Sequence, residues 1–297
     1  MTSTETISSR YAEIDCWDDA PVLEALVGGQ ERAVAAVRRA IPALAAAAEV
    51  VAARLRAGGR LVYAGAGSSA GIAVQDGAEL PGTFGIPRER IVFLVAGGLA
   101  ALADIDGAAE DDDAQGRRDV AALGPMTGDV LIVVSASGRT RYTLGAAEAA
   151  RQAGAAIVGI ANNDGSPLLA LADRPVLLDS GAEVIAGSTR MGAGTAQKCA
   201  LGLISTLAAT RLGHVHAGMM VGVRAENAKL RERARGIVAT IASVDGEAAG
   251  KALETTAGDV KAAVLLCAGA RSAREAQDLL AGAQGSLRQA LARLKAA

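Results

Sequence analysis

Apolar and polar positions follow two different periods along this chain. Residues 20–57 carry Ala, Val, Leu and Arg at helical spacing, with breaks expected near Gly28-Gly29 and Pro42, and Gly58-Gly59 ends the segment. Five short runs rich in β-branched residues follow: Leu61–Ala64, Ile91–Ala96, Val130–Val134, Ala156–Ile160 and Pro175–Leu178. Helix-length segments separate most of them. Apolar runs alternating with helices predict the α/β class, a parallel sheet covered on both faces, because parallel strands need crossovers that pack over the sheet. Ligands on such sheets sit outside the carboxyl ends of the strands. Small residues then predict one long helix over Ser188–Leu212, interrupted by Gly213-His-Val-His216, and a second over about Met219 to Ala242. After Ser243-Val-Asp-Gly246 the pattern turns to short amphipathic helices, Glu247–Thr255, Val260–Leu266, Ala273–Leu280 and Ser286–Lys295. The predicted organisation is an N-terminal helical segment over 1–57, a sheet domain over 58–242 and a small helical C-terminal domain over 243–297.

Composition changes this picture little. Of 297 residues, 51% are hydrophobic but only 2% aromatic, and alanine supplies most of the apolar content, so the helices are expected to pack closely. The formal net charge of -2 offers no electrostatic footprint for nucleic acid or an anionic membrane. The acidic run Glu110-Asp-Asp-Asp113 is short, and solvation accounts for Asp111 to Asp113. No apolar run is long and charge-free enough to span a bilayer, and Met1-Thr-Ser-Thr-Glu-Thr6 has no basic region followed by an apolar core. A soluble, cytoplasmic protein is expected. Cys16, Cys199 and Cys267 are far apart, and His214 and His216 lack a third ligand at suitable spacing, so no metal is expected.

The candidate chemistry lies where the strands end. In Gly65-Ala-Gly-Ser-Ser69 the glycines let backbone approach an anion, while Ser68, Ser69 and helix-start amides can donate to phosphate oxygens. Gly65-x-Gly67-x-x-x-Gly71 also loosely matches a dinucleotide fingerprint, but Ala96-Gly97-Gly98 stands where an acidic ribose ligand belongs. A purely structural turn remains an alternative for this loop alone. In Ser135-Ala-Ser-Gly-Arg-Thr140, the hydroxyls of Ser135, Ser137 and Thr140 around Gly138 exceed what a helix cap requires. Arg139 fits either an anion or an exposed role. A third stretch runs from Gly181 to Arg190 and on to Lys198. Ser188 and Thr189 can cap the long helix there, and Glu183, Arg190 and Lys198 fit either a salt-bridge network or a ligand. Glu79 follows the first loop on its helix, and Glu110 follows Gly97-Gly98. Two carboxylates near one anion site can divide general-acid and general-base work.

Together, Gly65-Ala-Gly-Ser-Ser69, Glu79-Leu-Pro-Gly-Thr-Phe-Gly85, Ser135-Ala-Ser-Gly-Arg-Thr140 and Gly181–Lys198 resemble the N-acetylmuramic acid 6-phosphate etherases of the sugar-isomerase (SIS) superfamily. The resemblance runs from about Ala12 through Leu230, and the helical tail is compatible with it. It implies an SIS-type parallel sheet flanked by helices. It also implies a cofactor-independent lyase of peptidoglycan amino-sugar recycling, which removes D-lactate from N-acetylmuramic acid 6-phosphate to give N-acetylglucosamine 6-phosphate. Glu79 then matches the proton donor and Glu110 the other acid/base residue. Ser68, Ser69, Ser135, Ser137, Gly138, Thr140, Glu183 and Ser188 are the expected substrate and phosphate contacts. A homodimer with shared pockets is implied, and the Ser188–Leu212 helix offers a close-packing face for it. The chain departs from the family at Gly71, Gly192 and Gly222, where arginine, lysine and aspartate are usual, and at Leu80-Pro81-Gly82, where the family has Cys-Pro-Pro. Further departures fall on Ser8 and Asp18-Asp19. A sugar-phosphate isomerase would also use a carboxylate base but release no lactate, and a non-catalytic sugar-phosphate sensor would need neither glutamate. Retention of both glutamates favours the lyase.

Overall fold

Helix α1 (Asp19–Arg39) runs unbroken through Gly28-Gly29, contrary to the break expected there. Gly29 is buried, and a Cβ on it would come within 3.0 Å of Val184 Cγ2, so this glycine serves a close approach rather than a helix end. Pro42 lies in the first turn of α2 (Ile41–Arg56), where its missing N–H costs no intrahelical bond. The computed structural model describes residues 3–104, 107–225 and 227–296.

β1 (Leu61–Gly65), α3 (Gly67–Phe84) and β2 (Ile91–Val95) follow, then the short α4 (Gly107–Glu110) and α5 (Asp113–Ala121). β3 (Val130–Ser135), α6 (Arg141–Gln152), β4 (Ala156–Ala161), α7 (Pro167–Leu171) and β5 (Arg174–Leu177) complete a parallel sheet of five strands in the order β2-β1-β3-β4-β5. Every residue of β1, β3 and β4 is buried, which is why these strands read as continuous apolar runs. Ala146, Ala147 and Ala150 of α6 pack in one core cluster with Val62, Leu131, Val133 and Ile157 of the strands. Small side chains on that face bring the helix close to the sheet.

The strand order reverses between β1 and β3. From β1 the chain steps to β2 on one side, then returns to β3 on the other, with Gly65 paired to Val134. The carboxyl ends of β1 and β3 therefore flank the topological switch point, the favoured ligand crevice of open α/β sheets.

Contacts divide the chain into two units, Met1–Gly77 with Glu89–Ser205 and Ala78–Arg88 with Thr206–Ala297. The hydrophobic pattern instead suggests three consecutive segments, 1–57, 58–242 and 243–297. α2 packs against β1, β3 and β5, so the N-terminal helices belong with the sheet, and the boundary toward the helical region falls within α8 (Gly192–Arg211). In the second unit, β6 (Val215–His216) and β7 (Met219–Met220) form a hairpin where a helix was expected from Met219. Ala217 and Gly218 both have positive φ, 48° and 76°, the backbone of a tight hairpin turn, so helix α9 (Ala228–Ala242) starts later. α10 (Gly246–Thr255), α11 (Val260–Cys267), α12 (Ala273–Gly282) and α13 (Leu287–Ala296) lie close to their predicted bounds. Asn227, Asp245, Asp259 and Ser272 each accept a hydrogen bond from the backbone N–H three residues on, which fixes where α9 to α12 begin. Among the described residues, no helix is long and apolar enough to cross a membrane.

Candidate active site

At the end of β1 the buried Ala66 accepts from Ala70 N, and Gly67 turns the chain into α3 with φ of +52°. Ser68 is exposed and Ser69 half-buried on the first turn. Across the switch point, β3 delivers the second loop. Ser135 Oγ lies 3.0 Å from Thr140 Oγ1 and 3.4 Å from Ser137 Oγ, so three hydroxyls of this loop converge. Gly138 N donates to Ser135 Oγ and Arg139 N to Ser137 Oγ, each at 3.1 Å. Thr140 occupies the N-cap of α6 yet makes no cap bond; its hydroxyl is turned to Ser135 instead. The first amides of α6 are thus left without the side-chain acceptor usual at a helix start, an arrangement suited to an anion. Gly138 has φ of +63°, and a Cβ there would meet Ser166 Oγ at 2.4 Å, so glycine alone fits this turn. Tyr142 lies beneath, fully buried with Ala66 and Ala96, its hydroxyl donating to Asp119 at 2.7 Å.

Glu110 ends α4 and is half-buried. A Cβ on Gly67 would fall 2.7 Å from Glu110 Oε1, so this carboxylate rests directly on the turn that opens α3. Burial pushes its pKa up from the ordinary glutamate value, and Asp111 adds to the shift. Such a group holds a proton more readily than a solvated carboxyl, which suits acid–base work. Glu79 stands farther along α3, exposed, and belongs to the second unit.

The third stretch behaves differently from the expectation. Glu183 is buried, 5% exposed, and accepts Gly192 N on Oε2 at 2.9 Å and Ala193 N on Oε1 at 2.8 Å. Its carboxylate satisfies the first amides of α8, whose positive end favours it. Ser188 lies in the turns before that helix rather than at its cap, so α8 starts four residues later than predicted, at Gly192. Arg139, Arg190 and Lys198 are exposed. Sequence reasoning missed Asn162, Asn163 and Gln197, all buried beside these loops. Gln197 Nε2 donates to Asn162 Oδ1 at 2.9 Å, and Asn163 Nδ2 to the Ala136 carbonyl at 2.8 Å. The available signal was a pair of amides directly after an apolar strand.

A SIS domain model matches residues 30–162 and a second SIS domain model matches residues 122–205. The N-acetylmuramic acid 6-phosphate etherase of Deinococcus radiodurans is 48% identical over 288 residues, spanning 97% of this chain and 94% of that protein. That of Rubrobacter xylanophilus is 43% identical over 288 residues, spanning 97% and 95%. This chain belongs to the N-acetylmuramic acid 6-phosphate etherase family. Among solved structures, a phosphoheptose isomerase from Francisella tularensis aligns at a TM-score of 0.48 and 21% identity, over 65% of this chain and 97% of that one.

Within the etherase family, the glycine departures now have surroundings. Gly71 faces open space, with nothing within 4 Å of a Cβ placed there. A side chain at Gly192 would start 2.9 Å from Glu183 Oε2. At Gly222 a Cβ would collide with the Phe84 carbonyl at 2.3 Å and His214 Nδ1 at 2.6 Å, so only glycine fits there. That Nδ1 is buried without a hydrogen-bond partner among the described residues, and burial, with Lys261 adding, lowers the His214 pKa to about 4.

Proposed function

We propose that this chain cleaves the D-lactyl ether of N-acetylmuramic acid 6-phosphate by carbon–oxygen lyase chemistry, giving N-acetylglucosamine 6-phosphate and D-lactate. Family membership supplies the reaction, and the observation that carries its assignment to residues is the seat of Glu110 on the α3 turn at the switch point. The phosphate rests on the hydroxyls of Ser69, Ser135, Ser137 and Thr140, with backbone contacts from Ser68 and Gly138. Binding energy from this remote group holds C2 and C3 of the sugar in place for reaction.

Ring opening exposes the C1 aldehyde, which acidifies the proton on C2. One carboxylate takes that proton. The electron pair moves to form the C2–C3 double bond as the C3–O bond breaks, and the departing lactate oxygen receives a proton from an acid. We assign that donation to Glu79 and the other acid/base role to Glu110. Water then adds at C3 and a proton returns to C2. Glu183 is assigned to holding the start of α8 rather than to touching substrate, with Ser188 on the turn before it.

The reading includes a homodimer acting in the cytoplasm. Ala193, Ala196, Ala200 and Ile204 of α8 are buried within the chain, while Leu203 on the same helix is exposed. Leu23, Val27 and Val34 of α1 remain exposed and are the face we assign to the two-fold contact.

Glu79→Gln and Glu110→Gln test the chemistry. Each should keep the fold and the affinity for inorganic phosphate while lowering lactate release by about 10²–10⁴-fold. Near-full release of lactate by both variants would refute the assignment.

A further inference from the structure

We propose that Asn163 is a positioning residue for the phosphate loop, and that the N-terminal segment Ser3–Glu5 completes its hold on that loop. The inference rests on the reading that Ser135–Thr140 binds the substrate phosphate.

Asn163 directly follows the buried Asn162 after β4 and is itself only 4% exposed. All four hydrogen-bonding positions of its amide are occupied. Nδ2 donates to the Ala136 carbonyl at 2.8 Å and to Thr4 Oγ1 at 3.2 Å. Oδ1 accepts from Ser3 Oγ at 2.8 Å and from Thr4 N at 3.4 Å. One end of the amide therefore grips the phosphate loop, and the rest grips a segment some 160 positions away in sequence. The loop has further ties on the same side. Ala136 O also accepts Asn162 N at 3.0 Å, and Gly138 O accepts Leu168 N at 3.1 Å.

The N-terminal segment has its own anchor. Thr4 is 1% exposed, and its carbonyl accepts Gly187 N at 3.1 Å. Glu5 reaches the same glycine, for a Cβ on Gly187 would fall 2.8 Å from Glu5 Oε2. Ser3–Glu5 thus spans from Asn163, which holds the phosphate loop, to the stretch that carries Glu183. A satisfied buried amide adds little net stability over an apolar side chain of its size, but it fixes the geometry of the groups it joins. The geometry fixed here is that of a loop whose hydroxyls must meet phosphate oxygens at hydrogen-bond distance. Releasing Asn163 should loosen phosphate binding and leave the carboxylates undisturbed.

The test measures KM for the phosphorylated substrate, kcat, and competitive inhibition by inorganic phosphate in full-length Asn163→Ala, Thr4→Val, the double variant and Ser137→Ala. Asn163→Ala should raise both KM and the phosphate inhibition constant by about three- to tenfold, the worth of about one hydrogen bond, with kcat within about twofold of the parent. Thr4→Val keeps the side-chain shape and should shift both constants in the same direction. It should add little to Asn163→Ala, because both act through one amide. Unchanged phosphate inhibition in Asn163→Ala and Thr4→Val, alongside a clear rise in Ser137→Ala, would overturn the proposal and leave the phosphate reading standing. No change in any of the variants would bring down both. A fall in kcat with phosphate inhibition unaltered would also overturn it. If Asn163→Ala fails to fold, Thr4→Val decides the question alone.

Discussion

Replacing Gly67 with alanine places a methyl group where the Glu110 carboxylate lies. The new Cβ would stand 2.7 Å from Oε1 and 3.8 Å from Cδ. Ordinary contact needs Oε1 to retreat by about 0.7 Å, and the atom that must move is the far end of a flexible side chain. The steric clash is therefore cheap for the fold and damaging to the site. A second cost is backbone strain, since φ of +52° is a left-handed conformation that alanine occupies at about 1–2 kcal/mol. Displacement of a reacting group by about 1 Å lowers rates by about 10²-fold. Gly67→Ala should thus lose about 1–2 kcal/mol in urea denaturation and lactate release by at least about tenfold, with the rate loss exceeding the rise in KM. Gly71→Ala is the control. It sits on the same helix with nothing within 4 Å of the added methyl, and it should gain up to about 1 kcal/mol of helix stability without slowing turnover. Full turnover in Gly67→Ala, with the strain visible in its stability, would show that the seat of Glu110 on this turn has no part in the chemistry.

Three other outcomes follow from the same geometry. Burial and Asp111 raise the Glu110 pKa in the folded state, so its contribution to stability is fully present below the ordinary carboxyl range and lost as pH rises through the raised value. Glu110→Gln should be more stable than the parent at neutral pH, with the difference closing in acid; a pH-independent difference in urea midpoint would contradict the shift. Glu183→Ala strips two backbone N–H groups of their acceptor and should cost about 2–4 kcal/mol in denaturant, whereas a loss below about 0.5 kcal/mol would mean that α8 does not depend on this cap. Ser137→Ala should weaken phosphorylated sugars and leave binding of their unphosphorylated analogues unchanged, and equal effects on both would move the phosphate elsewhere.

Local pattern determined much of this molecule. β1, β3 and β4 were legible because a strand buried on both faces must be apolar throughout, and the observed bounds of all five strands differ from the predicted ones by a residue or so. The tail helices were legible from their short amphipathic pattern, and Asp245, Asp259 and Ser272 cap their starts within the chain itself. The two glutamates and the hydroxyl loops were legible as residue types following strands, and their motifs carried the family. What the sequence left open depends on segments distant along the chain. Gly28-Gly29 looked like a break until Val184 explained the need for a small residue. Residues 215–220 carried no strand signal because a two-residue ladder is too short to have a period. Glu183 fitted either a salt bridge or a ligand in the sequence, because nothing local reveals that it accepts the amides of Gly192 and Ala193. The strand order, and with it the switch point that sets Gly67, Glu110 and Ser135–Thr140 side by side, is a matter of tertiary pairing. Asn163 shows the limit most clearly. Its meaning lies in contacts to Ala136 and to Ser3–Thr4, and only folding brings those within hydrogen-bond reach.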